Sequence, residues 1–100
     1  MNVELAFEDV KEAFSVSQNY PNPFKEQAQI SIQLPQSSAV SIKVFDATGR
    51  LLKEDVLTNL EAGKHTYDFH RNDFSETSGQ LFYQVEAAGE KVIKSMMLIE

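Results

Sequence analysis

Two histidines, His65 and His70, are the side chains of this 100-residue chain best suited to proton transfer or metal binding. They stand five apart in a segment of alternating polarity, which turns them to opposite faces of a strand. A metal centre needs three or four converging ligands, so ordinary surface or edge histidines are expected. Ser78-Gly79 reads as a turn, because the Gly-x-Ser-x-Gly elbow that exposes a catalytic serine is missing. Glu54 and Asp55 are strand neighbours and face opposite sides. Asp46-Ala47-Thr48-Gly49 lacks the alternating oxygen ligands of a calcium loop, and Asp73 with Glu76 leaves room for at most an incidental calcium site. Cysteine is absent, which removes disulfides, thiolate nucleophiles and cysteine-based zinc sites. The glycines fit turns and form no phosphate cradle. The expectation is a protein with no catalytic residues, no metal and no cofactor.

Charge and composition narrow the partners. Fifteen acidic residues against nine basic ones give a net charge of -6. Nucleic-acid binding draws on clustered lysine and arginine, which this chain lacks. A hydrophobic fraction of 42% belongs to a globular chain, and this length makes one domain. No apolar run approaches the roughly 18 residues of a membrane span, so membrane insertion is not expected. Met1-Asn2-Val3-Glu4 has neither the basic nor the apolar region of a secretory signal. If the domain is exported, that signal is expected elsewhere on a longer chain. Tyr67, Phe69, Phe82 and Tyr83 are expected in the core, with a stacking platform for a glycan or peptide as the alternative.

The elements that would position these residues follow from periodicity. Val3, Phe7, Val10 and Phe14 recur at helical spacing, predicting a short amphipathic helix or linker remnant over residues 1–13. From Phe14 the period becomes two. Asn19-Tyr20-Pro21-Asn22-Pro23-Phe24 then interrupts it, since two prolines this close cannot sit in a central strand. A stiff crossover is expected there, with Tyr20 and Phe24 anchoring it to the core. Gln29–Leu34, Val40–Phe45, Leu51–Leu57, Lys64–Phe69, Leu81–Ala87 and Lys91–Ile99 read as strands. Turns fall at Pro35-Gln36-Ser37-Ser38, Asp46–Arg50, Leu60–Gly63 and Ala88-Gly89-Glu90, with a long polar loop over Arg71–Gly79. Strands at this spacing without interleaved helices predict an all-β, seven-stranded antiparallel immunoglobulin-like β-sandwich.

The same punctuation carries a resemblance. Asn19-Tyr20-Pro21-Asn22-Pro23-Phe24 ahead of a strand ending Leu34-Pro35 resembles the C-terminal sorting domain (type A) of the type IX, or Por, secretion system of Bacteroidota. Val44-Phe45-Asp46-Ala47-Thr48-Gly49-Arg50 resembles that family's aromatic-Asp-x-x-Gly-Arg hairpin. Leu60-Glu61-Ala62-Gly63-Lys64-His65 is similar to its Leu-x-Ala-Gly-x-His turn. Ser78-Gly79, Phe82-Tyr83 and Lys94-Ser95-Met96-Met97-Leu98 are similar to its closing block. Pro21, Asn22, Pro23, Phe24, Gly63 and Gly79 therefore carry the family motif. Phe69 stands where the family commonly has Trp, Gln80-Leu81 replaces its usual Val-Tyr, and Asn72–Thr77 departs from its Gly-rich loop.

The resemblance implies a non-enzymatic export signal over residues 14–100, covalently attached to a larger N-terminal cargo. Its implied partners are the outer-membrane translocon and a sortase-like peptidase that removes it. Its implied route runs through the periplasm to the cell surface or medium, with cleavage in or before residues 1–13. Gly49, Arg50, Gly89, Lys94, Met96, Met97, Leu98 and Ile99 are the expected recognition residues, since a last strand with exposed edge amides suits strand addition by a receptor. A passive immunoglobulin-like spacer or adhesion module, or a glycan-binding module, is the alternative.

Overall fold

The computed structural model describes residues 13–74 and 77–100. Seven strands form two antiparallel sheets: β1 (Ser15–Val16), β2 (Gln27–Leu34), β3 (Ser38–Asp46), β4 (Leu51–Leu60), β5 (Gly63–His70), β6 (Gly79–Ala87) and β7 (Glu90–Leu98). One sheet has the order β1-β2-β5, the other β4-β3-β6-β7. This two-sheet antiparallel arrangement is consistent with the immunoglobulin-like expectation.

Alternation builds the core. Ala28, Ile30, Ile32 and Leu34 of β2 face Val40, Ile42 and Val44 of β3 and Leu81, Tyr83, Val85 and Ala87 of β6, all buried. Phe69 supplies β5's buried side chain, and its ring lies 5.3 Å from Tyr83 and 6.4 Å from Phe74. Met96 and Leu98 close the β7 side, and Phe24 plugs the adjacent seam.

Several expectations are corrected by detail. Tyr20 does not anchor the crossover: it is 81% exposed, while Asn19 is buried in its place. Both bonds at Tyr20-Pro21 and Asn22-Pro23 are cis, and Tyr20 lies outside because it pairs through its backbone with Gln29, whose side chain is on the solvent face. Asn19 tolerates burial because its Nδ2 donates to the Pro21 carbonyl at 2.9 Å and its Oδ1 accepts from Gln18 Nε2 at 2.7 Å. The polar loop after β5 begins with a 3-10 turn, Arg71–Phe74, that buries Phe74. β4 runs on to Leu60 past a register shift, with Asn59 at φ 61°. β7 ends at Leu98, one residue short of Ile99. The amphipathic segment expected before Phe14 lies, up to residue 12, outside the described residues.

Candidate functional site

β7 is an edge strand, so half of its backbone groups have no neighbour within the sheet. The β6–β7 turn holds two residues, Ala88 at φ 51° and Gly89 at φ 83°, the pair of left-handed conformations that a tight hairpin requires. In such a hairpin the flanking pair, Ala87 and Glu90, exchanges hydrogen bonds, and bonding alternates from there. Val92, Lys94, Met96 and Leu98 therefore turn their amides and carbonyls toward β6. Lys91, Ile93, Ser95 and Met97 turn theirs to the outer edge.

The two halves of that edge differ. Over the second half, the segment 18–24 lies as a strap. Gln18 Nε2 donates to the Ser95 carbonyl at 2.7 Å, and the Met97 amide donates to Asn22 Oδ1 at 3.0 Å. The Phe24 amide donates to the Met97 carbonyl, and the Ile99 amide donates to the Phe24 carbonyl, both at 2.9 Å. Arg71 fastens the end, donating through Nε to the Lys25 carbonyl at 2.5 Å and through its guanidinium to the Ile99 carbonyl. The strap's root is tied to the core, where the buried Tyr83 hydroxyl donates to the Ser17 carbonyl at 2.8 Å. Burial pushes the Tyr83 phenol up to about 12. Over the first half, the outward groups of Lys91 and Ile93 meet no such partner among the described residues, and the Ile93 side chain is 58% exposed.

At the far end of the same sheet the β3–β4 turn is held by one carboxylate. Asp46 Oδ1 accepts from the Thr48 amide at 2.9 Å, the Thr48 hydroxyl at 2.6 Å and the Arg50 amide at 2.9 Å. Arg50 Nε lies 3.2 Å from Asp46 Oδ2, and Gly49 takes the φ of 92° that closes the loop. The Thr48 hydroxyl bond first, then the Arg50 amide, hold the Asp46 carboxyl below its ordinary range.

The outer face of this sheet carries apolar side chains on its polar phase. Phe45 pairs directly with both Leu51 and Phe82, and Met97 lies diagonally beyond on β7. Leu51 and Met97 are exposed, and Phe45 and Phe82 are half-buried. These aromatics were missed as surface residues, although the sequence carries a sign of them. Phe82 and Tyr83 are adjacent in a strand and cannot both enter the core.

Among the expected recognition residues, the structure brings the Gly49–Arg50 turn to the same end of the sheet as Met97 and Ile99, with Phe45 and Phe82 between. Gly89 lies at the opposite end, roughly 20 Å away along the strands. Met96 and Leu98 are core residues, and Lys94 is half-buried in the inward register opposite Tyr83. Of the family-motif residues, Pro21, Asn22, Pro23 and Phe24 form the strap, and Gly63 and Gly79 begin β5 and β6. The platform weighed for Tyr67, Phe69, Phe82 and Tyr83 does not form, because Phe69 and Tyr83 are buried and Phe82 faces the other way.

His65 and His70 lie on opposite faces of β5, and His65 Nε2 contacts the Glu61 carbonyl at 2.7 Å. Asp73 sits 3.4 Å from Lys53 Nζ and accepts from the His70 amide, while Glu76 lies outside the described residues. Among the described residues no three His, Asp or Glu side chains gather as a metal site.

Comparison with known families matches residues 18–100 to the family described as secretion system C-terminal sorting domain. No curated protein matches the chain.

Proposed function

The chain belongs to the family of secretion system C-terminal sorting domains, and from that premise we propose how the export machinery reads it. As a type IX sorting signal it marks an attached cargo for the cell surface or the medium. In this reading the domain comprises residues 14–100, residues 1–13 link it to the cargo, and it performs no catalysis itself. It is presented from the periplasm to the outer-membrane translocon and is afterwards removed by a sortase-like peptidase.

The recognition surface is the apolar outer face at the strapped end of the four-stranded sheet: Phe45, Leu51, Phe82 and Met97, rimmed by Arg50 and Ile99. The observation that supports this choice is the clustering of four large apolar side chains at one end of a face where, among polar neighbours, Val56 and Ile93 stand exposed singly. Contiguous apolar surface on a small domain commonly marks an interaction site. The open first half of β7, at Lys91 and Ile93, offers a receptor strand a short stretch for pairing toward the other end of the same sheet. Met96 and Leu98 act indirectly, by holding β7 in place.

Fusing residues 14–100 to an inert periplasmic reporter in a type IX-competent host tests the reading. The reporter should reach the medium. Leu51→Lys with Phe82→Lys should retain it inside while the domain stays folded by circular dichroism. A fusion that remains periplasmic would end the sorting role, and export undiminished by the double substitution would move the recognition surface elsewhere. A passive spacer would export nothing in either form.

A further inference from the structure

The solvent face of the three-stranded sheet has a different chemistry. Gln27, Gln29, Ser31 and Gln33 of β2 pair across the ladder with His70, Asp68, Thr66 and Lys64 of β5. With alternate side chains turned outward, this face is a ladder of amides and hydroxyls. One aromatic stands on it. Tyr20 exchanges two backbone hydrogen bonds of 2.9 Å with Gln29, so it shares Gln29's face. Its 81% exposure comes on a backbone held firmly in place. In the same row Gln29 Nε2 donates to Asp68 Oδ1 at 3.0 Å, which fixes both groups across β2 from Tyr20.

Two shallow depressions flank this row. One, about 230 Å³, is lined by Ser15, Val16, Ser17, Ser31, Gln33 and Lys64; the other, about 240 Å³, by Glu26, Gln27, His70, Arg71 and Asn72. The aromatic row thus lies between two hollows along a track of roughly 20 Å, the length of β2 from Gln27 to Gln33.

We propose that this track binds an uncharged, extended oligosaccharide, with Tyr20 stacking against one sugar ring and the Gln29–Asp68 pair bonding its hydroxyls. Charge selects the ligand class. Lys64 and Arg71 balance Asp68 and Glu26 along this face, in a chain of net charge -6, so neither an anionic polymer nor a cationic one finds complementarity. A protein partner would need an apolar centre that the face lacks. Strand addition uses a sheet edge, whereas here only side chains are presented. Amides, hydroxyls and a carboxylate around one exposed ring match the hydroxyl rim and apolar face of a pyranose. This binding is separate from export and uses none of the residues of the proposed recognition face.

The experiment is a titration of the isotope-labelled domain, residues 1–100, with cellohexaose, maltohexaose and chitohexaose, followed by amide shifts in NMR. At least one probe should perturb Tyr20, Gln27, Gln29, Ser31 and Asp68 selectively. Tyr20→Ala should weaken that binding about tenfold, the loss of one stacking contact of roughly 1.4 kcal/mol. Tyr20→Trp should keep it. Because Tyr20 is exposed, both variants should retain the wild-type spectrum away from the strap. Gln29→Ala gives an independent arm and should also weaken binding. No perturbation by any of the three sugars would overturn the proposal. So would perturbation centred on Phe45 and Phe82, or affinity unchanged in Tyr20→Ala.

Discussion

The two edge strands of the four-stranded sheet, β4 and β7, are protected by different means. β4 carries its protection in its own residues. Lys53 and Asp55 sit in the inward register, where Lys53 meets Asp73 at 3.4 Å and Asp55 accepts the Tyr67 hydroxyl at 2.9 Å. An incoming strand would have to dock beside buried-facing charges and across two register shifts. β7 carries one such inward-register charge, Lys94, and a strap from another part of the chain covers half of its length. Built-in guarding cannot be lifted without unfolding the strand. A strap can be altered while the strand remains.

Substitutions should separate the two strategies. The largest effect is expected from Phe24→Ala, which removes a fully buried ring and with it the strap's hold. Urea unfolding should show a loss of about 3–5 kcal/mol. Tyr83→Phe should cost about 1 kcal/mol, because the Ser17 carbonyl loses its donor. The same phenol predicts an alkaline limit. Its pKa is raised in the fold, so the stability it contributes is full below about pH 10 and is lost as the pH rises toward about 12. Wild-type unfolding followed across that window should show the decline, and Tyr83→Phe should flatten part of it.

Asn22→Ala should also cost about 1 kcal/mol, yet act locally. Hydrogen exchange at the Met97 amide should quicken while β4 amides keep their rates. On the opposite edge, Lys53→Val removes a partly exposed ion pair and should cost under about 1 kcal/mol. Sedimentation should nevertheless reveal concentration-dependent association through β4. A monomeric Lys53→Val would show that the register shifts alone protect this edge. The smallest effect concerns the turn beside it. Asp46's carboxyl is held below its ordinary value of 3.8, so its contribution is present above that pH and is lost on further acidification. The Thr48 and Arg50 amide resonances should titrate together below pH 3.8.

Much of this was legible from residue order alone. Alternation placed Ile30, Ile32, Val40, Ile42, Leu81, Tyr83 and Val85 inward, and burial follows that phase throughout. The Ala88-Gly89 and Asp46–Arg50 turns followed from residue chemistry. The strap was found as a break in the strands, but its orientation was not. Two prolines restrict the backbone without saying which neighbour turns inward, so Tyr20 and Asn19 were exchanged. Burial of Asn19 depends on hydrogen bonds to Gln18 and Pro21 that no periodicity encodes. Phe74 was hidden within a polar stretch, since a single 3-10 turn is too short to leave a repeat. The proposed recognition face was half visible: the Gly49–Arg50 turn and the β7 terminus were expected, whereas the aromatics that join them lie on the phase assigned to polar residues.

The bond between Met97 and Asn22 spans 75 positions. The Phe24 amide and carbonyl bond to Met97 and Ile99, so burying this ring and seating β7 are one event. Neither the seam nor the strap is complete until residues 97–99 are in place, and two stretches far apart in sequence become ordered together.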